Sequence, residues 1–285
     1  MDVAVVGAGR VGTAVAVLLA GVGHRIVAVS GREASRARAS EFLPEAPFLP
    51  TPQAVAEAEV VLLTVPDDAI AEVAREVAPS LMPGAAVAHL SGALGLDVLE
   101  PARAVDARPL SIHPLQTVPD VEAGIQGLPG SYVAVTADDE DTYRIGEGLA
   151  ADLGARAFRL PDDRKPLYHA AAVFCSNYLV AVEAIAERLF GLAGIEEPLQ
   201  ALAPLARASL ANALDRGPTA ALTGPAARGD AGTIQRHLEA LQTSAPHSIP
   251  AYLALAEAAL HLASAAGHLD PVDAAGVQEV IDRWR

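Results

Sequence analysis

Residues 2–12 read Asp-Val-Ala-Val-Val-Gly-Ala-Gly-Arg-Val-Gly, an apolar, β-branched run that leads directly into a Gly-x-Gly-x-x-Gly turn. Val11–Leu19 then predicts an apolar helix, and Arg25–Val29 predicts a second strand. A strand, a glycine turn, a helix and a strand in this order are typical of the first unit of a dinucleotide-binding Rossmann fold. This stretch therefore predicts an α/β fold that binds a dinucleotide.

Each glycine of the turn has its own physical reason to be there. Gly7 permits the tight turn, Gly9 lets the backbone approach a pyrophosphate, and Gly12 lets the helix pack closely against the strand. The phosphates are expected on the free N–H groups and the positive dipole end of the helix, where Arg10 and Val11 lie. The alternative is a glycine turn that binds no ligand.

The residues after the second predicted strand bear on the choice of dinucleotide. An NAD enzyme places Asp or Glu there, against the ribose 2′-hydroxyl, whereas this chain has Ser30-Gly31-Arg32. Ser30 can hydrogen-bond a 2′-phosphate and Arg32 can pair with it, with Arg36 one turn further on. The sequence therefore favours NADP over NAD, unless both arginines only face solvent, opposite Glu33.

Composition limits the classes of function. The 285 residues suffice for two domains of ordinary size, and 52% of them are hydrophobic. The formal net charge of −15 argues against nucleic acid as a partner, because phosphate binding needs a basic surface.

Charged residues interrupt the apolar stretches, so no membrane span is expected. The single cysteine, Cys175, fits a reducing cytoplasm and is expected to be a small buried residue. No Cys/His cluster has the spacing of a zinc site, and no metal is expected.

The apolar run Val60–Val65 predicts a buried parallel strand. Ligands of open α/β sheets lie beyond the carboxyl ends of the strands, so Val65, Pro66 and Asp67 are expected beside the nicotinamide half of the cofactor. Asp67 or Asp68 also suits the N-cap of the helix that is predicted to follow.

Strand and helix patterns alternate up to about residue 160, and no strand pattern follows. Further strands are predicted at residues 48–49, 85–90, 108–112, 131–136 and 156–160. Long helices are predicted at residues 166–192, 199–214, 231–241, 249–265 and 272–284. The interpretation is a doubly wound, mostly parallel Rossmann domain at residues 1–160, followed by an all-helical domain at residues 161–285.

Three segments carry a resemblance that covers essentially the whole chain. They are Ser111-Ile-His-Pro-Leu-Gln-Thr117, Ala172-Val-Phe-Cys-Ser-Asn-Tyr178 and Leu222-Thr-Gly-Pro-Ala-Ala-Arg-Gly-Asp230. They resemble an uncharacterised family of predicted oxidoreductases that joins a Rossmann-like NAD(P)-binding domain to a C-terminal domain of unknown function. The chain also resembles the phosphogluconate dehydrogenase-like superfamily, which includes pyrroline-carboxylate reductase, ketopantoate reductase and prephenate dehydrogenase.

The resemblance implies an NAD(P)-dependent oxidoreductase whose helical domain forms a homodimer and supplies catalytic groups from its first long helix. Many relatives place Lys and Asn four residues apart on that helix. Here Lys165 precedes the predicted helix and His169 follows four residues later, so the pair cannot simply be carried over.

Reduction of a carbonyl or imine needs a proton donor beside the hydride acceptor. The first candidate is His113, which follows a strand at the cofactor-facing edge and belongs to a residue type that titrates near neutral pH. The alternative for His113 is a loop anchor before Pro114. The second candidate is His169, and Ser176 shares its face of the predicted helix, with Asn177 placed more obliquely. These polar groups line either the substrate cleft or a helix interface.

Ser91-Gly92 and the loop at residues 219–230 supply the candidate substrate contacts. Ser91 can hydrogen-bond a carboxylate or take part in catalysis, and Gly92 allows close approach, although a simple turn explains the pair nearly as well. In the loop, Thr223 helps to set the shape and Arg228 can bind a carboxylate with two hydrogen bonds. Arg228 could instead pair with Asp230, which is expected to cap the next helix.

The sequence thus predicts a cytoplasmic NADP-dependent oxidoreductase that acts on a small carboxylate-bearing keto, hydroxy or imino compound. It is expected to be a homodimer through its helical domain, without nucleic-acid or membrane partners. A sensor or scaffold that binds NAD(P) without catalysis is the main alternative, and a nucleotide or nucleotide-sugar transferase is another. The polar groups predicted at the cleft favour an enzyme, since a binding module needs no proton donor.

Overall fold

The structure, a computed structural model, describes all residues from Met1 to Arg285. The chain divides into two compact units, Met1–Ser176 and Asn177–Arg285. The predicted boundary near residue 160 follows the last strand, whereas the first unit also takes in the next helix.

The first unit is built on one seven-stranded sheet with the order β2-β1-β3-β4-β5-β6-β7. Its strands are β1 Asp2–Val6, β2 Arg25–Ser30, β3 Val60–Leu63, β4 Ala86–His89, β5 Arg108–Pro114, β6 Tyr132–Ala137 and β7 Arg156–Arg159. All neighbouring strands run parallel except β5 and β6. The predicted doubly wound, mostly parallel sheet is therefore confirmed.

Helices connect the strands and cover both faces of this sheet. They are α1 Arg10–Gly21, α2 Glu33–Phe42, α3 Thr51–Ala54, α4 Asp67–Val77, α5 Glu100–Arg103, α6 Val121–Gly127, α7 Glu140–Asp152 and α8 Lys165–Cys175. One apolar cluster packs α1 and α7 against Val3, Val5 and Leu62, and a second packs α4 against Ala4, Val61 and Leu63. Alternate residues of a strand thus serve opposite faces, which is why β1 and β3 are apolar throughout.

The predicted strand at Phe48-Leu49 is wrong. Phe48 makes only an isolated parallel bridge to Val29. Pro47 and Pro50 flank this pair, and proline cannot donate to a ladder, so the pairing cannot extend into a strand.

The second unit is all helical, as predicted. Its helices are α9 Asn177–Leu192, α10 Pro198–Arg216, α11 Pro218–Ala221, α12 Ala231–Ser244, α13 Ile249–Ala265 and α14 Pro271–Arg283. Its core joins α12, α13 and α14 through buried residues that include Ile234, Leu238, Leu260 and Val277. Asp230 accepts a hydrogen bond from Thr233 N at 2.9 Å, so its predicted role as the N-cap of α12 is confirmed.

The predicted single helix over residues 166–192 is two helices, α8 and α9, which meet at Ser176. Ser176 is the C-cap of α8, and its φ of −119° and ψ of −72° depart from ideal helix geometry. Ser followed by Asn weakens a helix because both side chains compete for backbone hydrogen bonds. By length and composition alone, the stretch Asp162–Leu192 could cross a membrane, with mean hydropathy 1.4 and 0% of its most apolar window buried.

Candidate functional site

The glycine turn between β1 and α1 leaves no space for a side chain at Gly7 or Gly12, whereas a Cβ atom on Gly9 would lie 3.8 Å from the nearest atom. Gly7 has φ +97°, and a Cβ atom there would lie 2.7 Å from Val65 Cγ1. A Cβ atom on Gly12 would lie 2.2 Å from Thr64 Oγ1. The Thr64 hydroxyl donates to the carbonyl oxygen of Gly7 at 2.6 Å, which fixes the turn against the end of β3. The end of β3 thus lies too close to Gly7 and Gly12 for a side chain at either position, in line with the tight turn and the close helix packing predicted for them.

The turn fits the phosphates of a dinucleotide. The backbone N–H groups of Arg10, Val11 and Gly12 open α1 and donate to no backbone carbonyl, as at any helix start. Arg38, which the sequence did not single out, donates to the carbonyl oxygen of Ala8 at 2.9 Å and adds positive charge there. The Arg10 guanidinium donates to the carbonyl oxygen of Pro119 at 2.9 Å.

The residues predicted to bind a 2′-phosphate at the end of β2 differ in their exposure to solvent. Ser30 is 2% exposed, and its hydroxyl hydrogen-bonds Thr51 Oγ1 at 2.9 Å. Arg36 pairs with Glu33 at 3.3 Å and stacks over the ring of Phe48. Arg32 is exposed and forms no ion pair in the structure. Of the predicted residues, Arg32 is thus the one whose charge is open to a ligand.

A second group of polar side chains lies where the strands of the sheet end. We call it the strand-end cluster, and it consists of His89, Ser91, Ser111, His113, Lys165 and Tyr168. The register pairs Leu63 with His89 and His89 with Ser111, which brings the ends of β3, β4 and β5 side by side. His113 is two residues beyond Ser111 on β5, and the start of α8 supplies Lys165 and Tyr168.

Lys165 is the central residue of this cluster. Its side chain is fully buried, and Nζ donates to Ser111 Oγ at 2.7 Å and to the carbonyl oxygen of Ser91 at 3.1 Å. Burial lowers the pKa of Lys165 to about 8, although the carboxylates of Asp162 and Asp67 act in the opposite direction. An ammonium has one more N–H than these two acceptors satisfy. Lys165 can therefore hold a proton near neutral pH and present it to a ligand.

The sequence contains a signal for Lys165, the spacing of four residues from Lys165 to His169. The predicted helix begins at Pro166 and so leaves Lys165 outside it. The helix in fact begins at Lys165, with Pro166 in its first turn. The residues around Lys165 in the sequence do not show that Ser91 and Ser111 lie next to its ammonium group.

The hydroxyl of Ser91 is engaged within its own turn. It donates to Asp67 Oδ2 at 2.6 Å and accepts from the backbone N–H groups of Ala93 and Leu94 at 3.2 and 3.1 Å. This geometry fits the alternative that Ser91-Gly92 forms a simple turn. A catalytic or substrate-binding role of Ser91 stays a prediction.

The predicted N-cap at Asp67 or Asp68 is wrong. Pro66 holds the N-cap position of α4 without any side-chain cap, and Asp67 and Asp68 lie in the first turn. The carboxylate of Asp67 instead accepts the Ser91 hydroxyl. Asp67 thus contacts Ser91 of the strand-end cluster. Val65, two residues earlier, lies against Gly7 of the glycine turn.

The His113 ring lies next to the rings of Tyr168 and His169 and the backbone of Gly92. Its Nδ1 is 2.7 Å from the hydroxyl oxygen of Tyr168, and its ring centroid is 6.1 Å from that of His169. A Cβ atom on Gly92 would lie 2.7 Å from His169 Cδ2 and 2.8 Å from His113 Nε2. The structure therefore brings His169, from the helix, next to His113 and Gly92 at the ends of β5 and β4.

The protonation of His113 differs from what its residue type suggests. Burial, followed by the positive charge of Lys165 and the ring of His169, lowers the pKa of His113 to about 4. Burial and Lys165 likewise lower the pKa of His89 to about 4. Both imidazoles are neutral near pH 7, so His113 holds no extra proton to transfer there; its predicted part in catalysis is otherwise untested.

The remaining predicted residues lie outside the strand-end cluster. Ser176 ends α8 and the exposed Asn177 begins α9, so the predicted shared helix face does not continue through both. Cys175 is exposed, and the expectation of a buried cysteine is wrong because most of α8 lies at the surface. In the second unit, Thr223 and Arg228 line a cavity of about 190 Å³ together with His268.

The fold and the glycine turn define a class: a dinucleotide-binding Rossmann domain joined to a helical domain. Residues 1–114 match the family described as a Rossmann-like domain, and residues 131–259 match the Domain of unknown function DUF2520. The second match begins just before β6 and includes Lys165 and Arg228. These matches confirm the resemblance that the sequence analysis stated.

Relatives of known structure or description share this architecture. The chain is 33% identical to a glycerol-3-phosphate dehydrogenase (NAD(P)+) of Rhizobium etli, over 57% of this chain and 54% of that protein. The chain thus spans about half the length of this curated relative. A candidate NADP oxidoreductase of Bacteroides fragilis is 22% identical, with TM-score 0.78 over 91% of this chain and 98% of that one.

A reductive aminase of Aspergillus terreus, solved with NADPH and ethyl levulinate, is also 22% identical. Its TM-score is 0.68 over 100% of this chain and 99% of that one. At these identities the two solved structures show that the fold is shared.

Proposed function

We propose that this protein is an NADP-dependent oxidoreductase that acts on a small carboxylate-bearing keto, hydroxy or imino compound. The observation that carries the proposal is the buried Lys165 ammonium, held by Ser91 and Ser111 at the same sheet edge as the glycine turn. A module that only binds a dinucleotide has no need of a buried proton donor. The names of the Rhizobium, Bacteroides and Aspergillus proteins support the same class of reaction.

The glycine turn would hold the pyrophosphate, through the N–H groups at the start of α1. Arg32 would pair with a 2′-phosphate, with Ser30 beneath it, and Val65, Pro66 and Asp67 would line the nicotinamide half. The exposed charge of Arg32 and the absence of an acid at the end of β2 support NADP over NAD. When bound, the reduced cofactor supplies the hydride.

Lys165 would supply the proton. As hydride reaches the carbonyl or imine carbon, the electron pair of the double bond moves to oxygen or nitrogen, and the ammonium gives that atom a proton. Ser111 and the carbonyl oxygen of Ser91 orient Nζ throughout, and the neutral amine regains a proton from water. In the reverse direction the neutral amine takes the proton from the hydroxyl or amino group of the substrate.

The cavity of the second unit supports a carboxylate-bearing ligand. Its volume is about 190 Å³, and Thr223, Arg228 and His268 line it. Asp230 uses its carboxylate to cap α12, and no ion pair joins it to Arg228. The guanidinium is therefore available for two hydrogen bonds to a carboxylate.

The test combines binding and turnover. We expect fluorescence titration to show tighter binding of NADPH than of NADH, and a panel of small keto and imino acids to include one that oxidises NADPH. Equal affinity for the two cofactors would remove the argument for NADP. NADPH binding without turnover of any panel member would favour the sensor or scaffold.

We further propose that the protein is a homodimer formed through its helical unit. No residue of α9 is buried, and Val180 is 68% exposed; on α10, Leu205 is 64% and Leu214 76% exposed. Helix α9 also carries charged residues, namely Glu183, Glu187 and Arg188, and such charges are costly inside a bilayer. A second copy of the chain therefore suits the exposed apolar surface of α9 and α10 better than a membrane does. The single cysteine, unable to form an internal disulfide, supports a place in the cytoplasm.

Sedimentation of the full chain tests the dimer. We expect Val180→Asp to yield monomers, whereas Val272→Asp, at a valine that is 79% exposed on α14, leaves the dimer intact. A monomeric wild-type chain, or one that sediments with phospholipid vesicles, would contradict the proposed dimer face.

A further inference from the structure

We propose that Tyr168 holds His113 as the neutral tautomer with its proton on Nε2, which makes the site a hydrogen-bond donor for a carbonyl oxygen. The inference rests on the proposed function and deepens it, because it separates carbonyl from iminium substrates. Tyr168 is then a positioning residue that acts through His113.

The contact between Tyr168 and His113 is well defined. The hydroxyl oxygen lies 2.7 Å from Nδ1, and the two rings meet edge to face with centroids 5.5 Å apart and planes at 85°. On its other side the Tyr168 ring packs against Phe158 at 5.9 Å. Lys165 lies one turn earlier on α8, so the same helix start positions both residues.

The direction of this hydrogen bond follows from the available acceptors. Within the protein, the Tyr168 hydroxyl hydrogen-bonds only His113 Nδ1. If Nδ1 carried the proton, it would donate to the phenolic oxygen, and the O–H would turn away from His113 and have no acceptor within the protein. Burial also raises the pKa of Tyr168 to about 12, so the hydroxyl keeps its proton. The O–H therefore donates to Nδ1, and the imidazole proton resides on Nε2.

The surroundings keep the ring neutral and leave Nε2 without a hydrogen-bond partner in the protein. The groups that face His113 are Lys165 and His169 from α8, and both disfavour an imidazolium. Nε2 forms no hydrogen bond within the protein, and it faces Gly92, where a Cβ atom would lie 2.8 Å away. The missing side chain at Gly92 thus lets the imidazole rings of His113 and His169 pack directly against the backbone.

Two donors of different kinds favour an oxygen as their shared acceptor. The Nε2–H of His113 and the free N–H of Lys165 can both donate to a carbonyl oxygen, which gains negative charge as hydride reaches the carbon. A protonated imine has no lone pair on nitrogen to accept either bond, and the ammonium repels its charge. The site therefore favours a keto or aldehyde group over a preformed iminium.

The first arm of the test is nitrogen-15 NMR of the histidines in the ligand-free protein. We expect His113 to show the Nε2–H tautomer, and Tyr168→Phe to lose it. The matched control is Tyr252→Phe, since Tyr252 and His237 form a similar pair, with 2.8 Å between oxygen and Nδ1. This control should change His237 alone. A proton on Nδ1 of His113, or a His113 spectrum that ignores Tyr168→Phe, would overturn the assignment.

The second arm compares a keto acid with a cyclic imino acid of similar size, each with NADPH. We expect faster turnover of the keto acid, and Tyr168→Phe should lower its kcat about tenfold with unchanged NADPH affinity. Tyr252→Phe should not alter the rate. Preference for the imine would overturn the substrate class while the tautomer stands, and turnover of neither compound would count against the proposed function instead.

Discussion

The glycine turn and the strand-end cluster place opposite demands on the chain. The turn is made of consecutive residues, Gly7–Gly12, and works because side chains are missing: a Cβ atom on Gly12 would lie 2.2 Å from Thr64 Oγ1. The cluster works through side chains that arrive from β4, β5 and α8, and its central residue, Lys165, is fully buried. Substitutions should therefore damage the turn by adding atoms and the cluster by removing polar groups.

The largest effect is expected in the turn. Gly12→Ala should abolish detectable NADPH binding and destabilise the protein by about 1–3 kcal/mol, because the new methyl group overlaps Thr64. Gly21→Ala is the matched control on the same helix, since no atom lies within 4 Å of a Cβ there. The control should bind NADPH normally and gain up to about 1 kcal/mol. Cofactor titration and urea unfolding of both variants measure this; equal behaviour would show that the close approach has no consequence.

A smaller but chemically specific effect is expected at Lys165. Lys165→Met keeps most of the buried volume and removes the proton donor, so turnover should fall about 10²- to 10⁴-fold. NADPH affinity should stay within about twofold, because Lys165 lies outside the glycine turn. Steady-state kinetics beside the cofactor titration separate the two quantities, and wild-type turnover in this variant would exclude Lys165 as the donor.

Lys165 should also leave a signature in the pH dependence of stability. Its pKa is about 8 in the folded protein and 10.5 in its ordinary state. Between these values the unfolded chain holds a proton that the folded protein has lost, so the free energy of unfolding rises with pH. Urea unfolding should show this rise in the wild type relative to Lys165→Met, and parallel curves across the window would contradict a buried Lys165.

The smallest effect is expected at the exposed end of β2. Arg32→Ala should weaken NADPH binding about tenfold and leave NADH binding unchanged, since only NADPH carries the 2′-phosphate. Arg75→Ala, at an exposed arginine in the last turn of α4, is the control and should alter neither affinity. Equal losses for both cofactors would assign Arg32 to general electrostatics.

The same contrast explains what the sequence could predict. The turn is local, so its strand, glycines and helix were all recognisable from consecutive residues, and the sheet followed from apolar runs such as Val60–Leu63. The cluster is not local. Ser91, Ser111 and Lys165 are far apart in the chain, and they meet because β4 pairs with β5 and the start of α8 lies against the ends of both strands.

Two errors have the same origin. Asp67 suits a helix cap by sequence, but its carboxylate accepts a hydrogen bond from the Ser91 hydroxyl in the turn after β4. Cys175 is apolar enough for a core, yet α8 exposes it. His113 is recognisable as a candidate from its place after the predicted strand at residues 108–112, although the observed strand β5 runs through it to Pro114. Its neutral state depends on burial and on Lys165 and His169, which come from α8.

The most direct test joins the two regions in one experiment. Wild-type protein and Lys165→Met, each loaded with NADPH, are mixed with the keto-acid panel, and the nicotinamide absorbance is followed through a single turnover. We expect at least one keto acid to remove the absorbance in the wild type, and Lys165→Met to bind NADPH equally but to react at least about a hundredfold more slowly. Bound NADPH that no panel member oxidises, or equal rates in the two proteins, would contradict it.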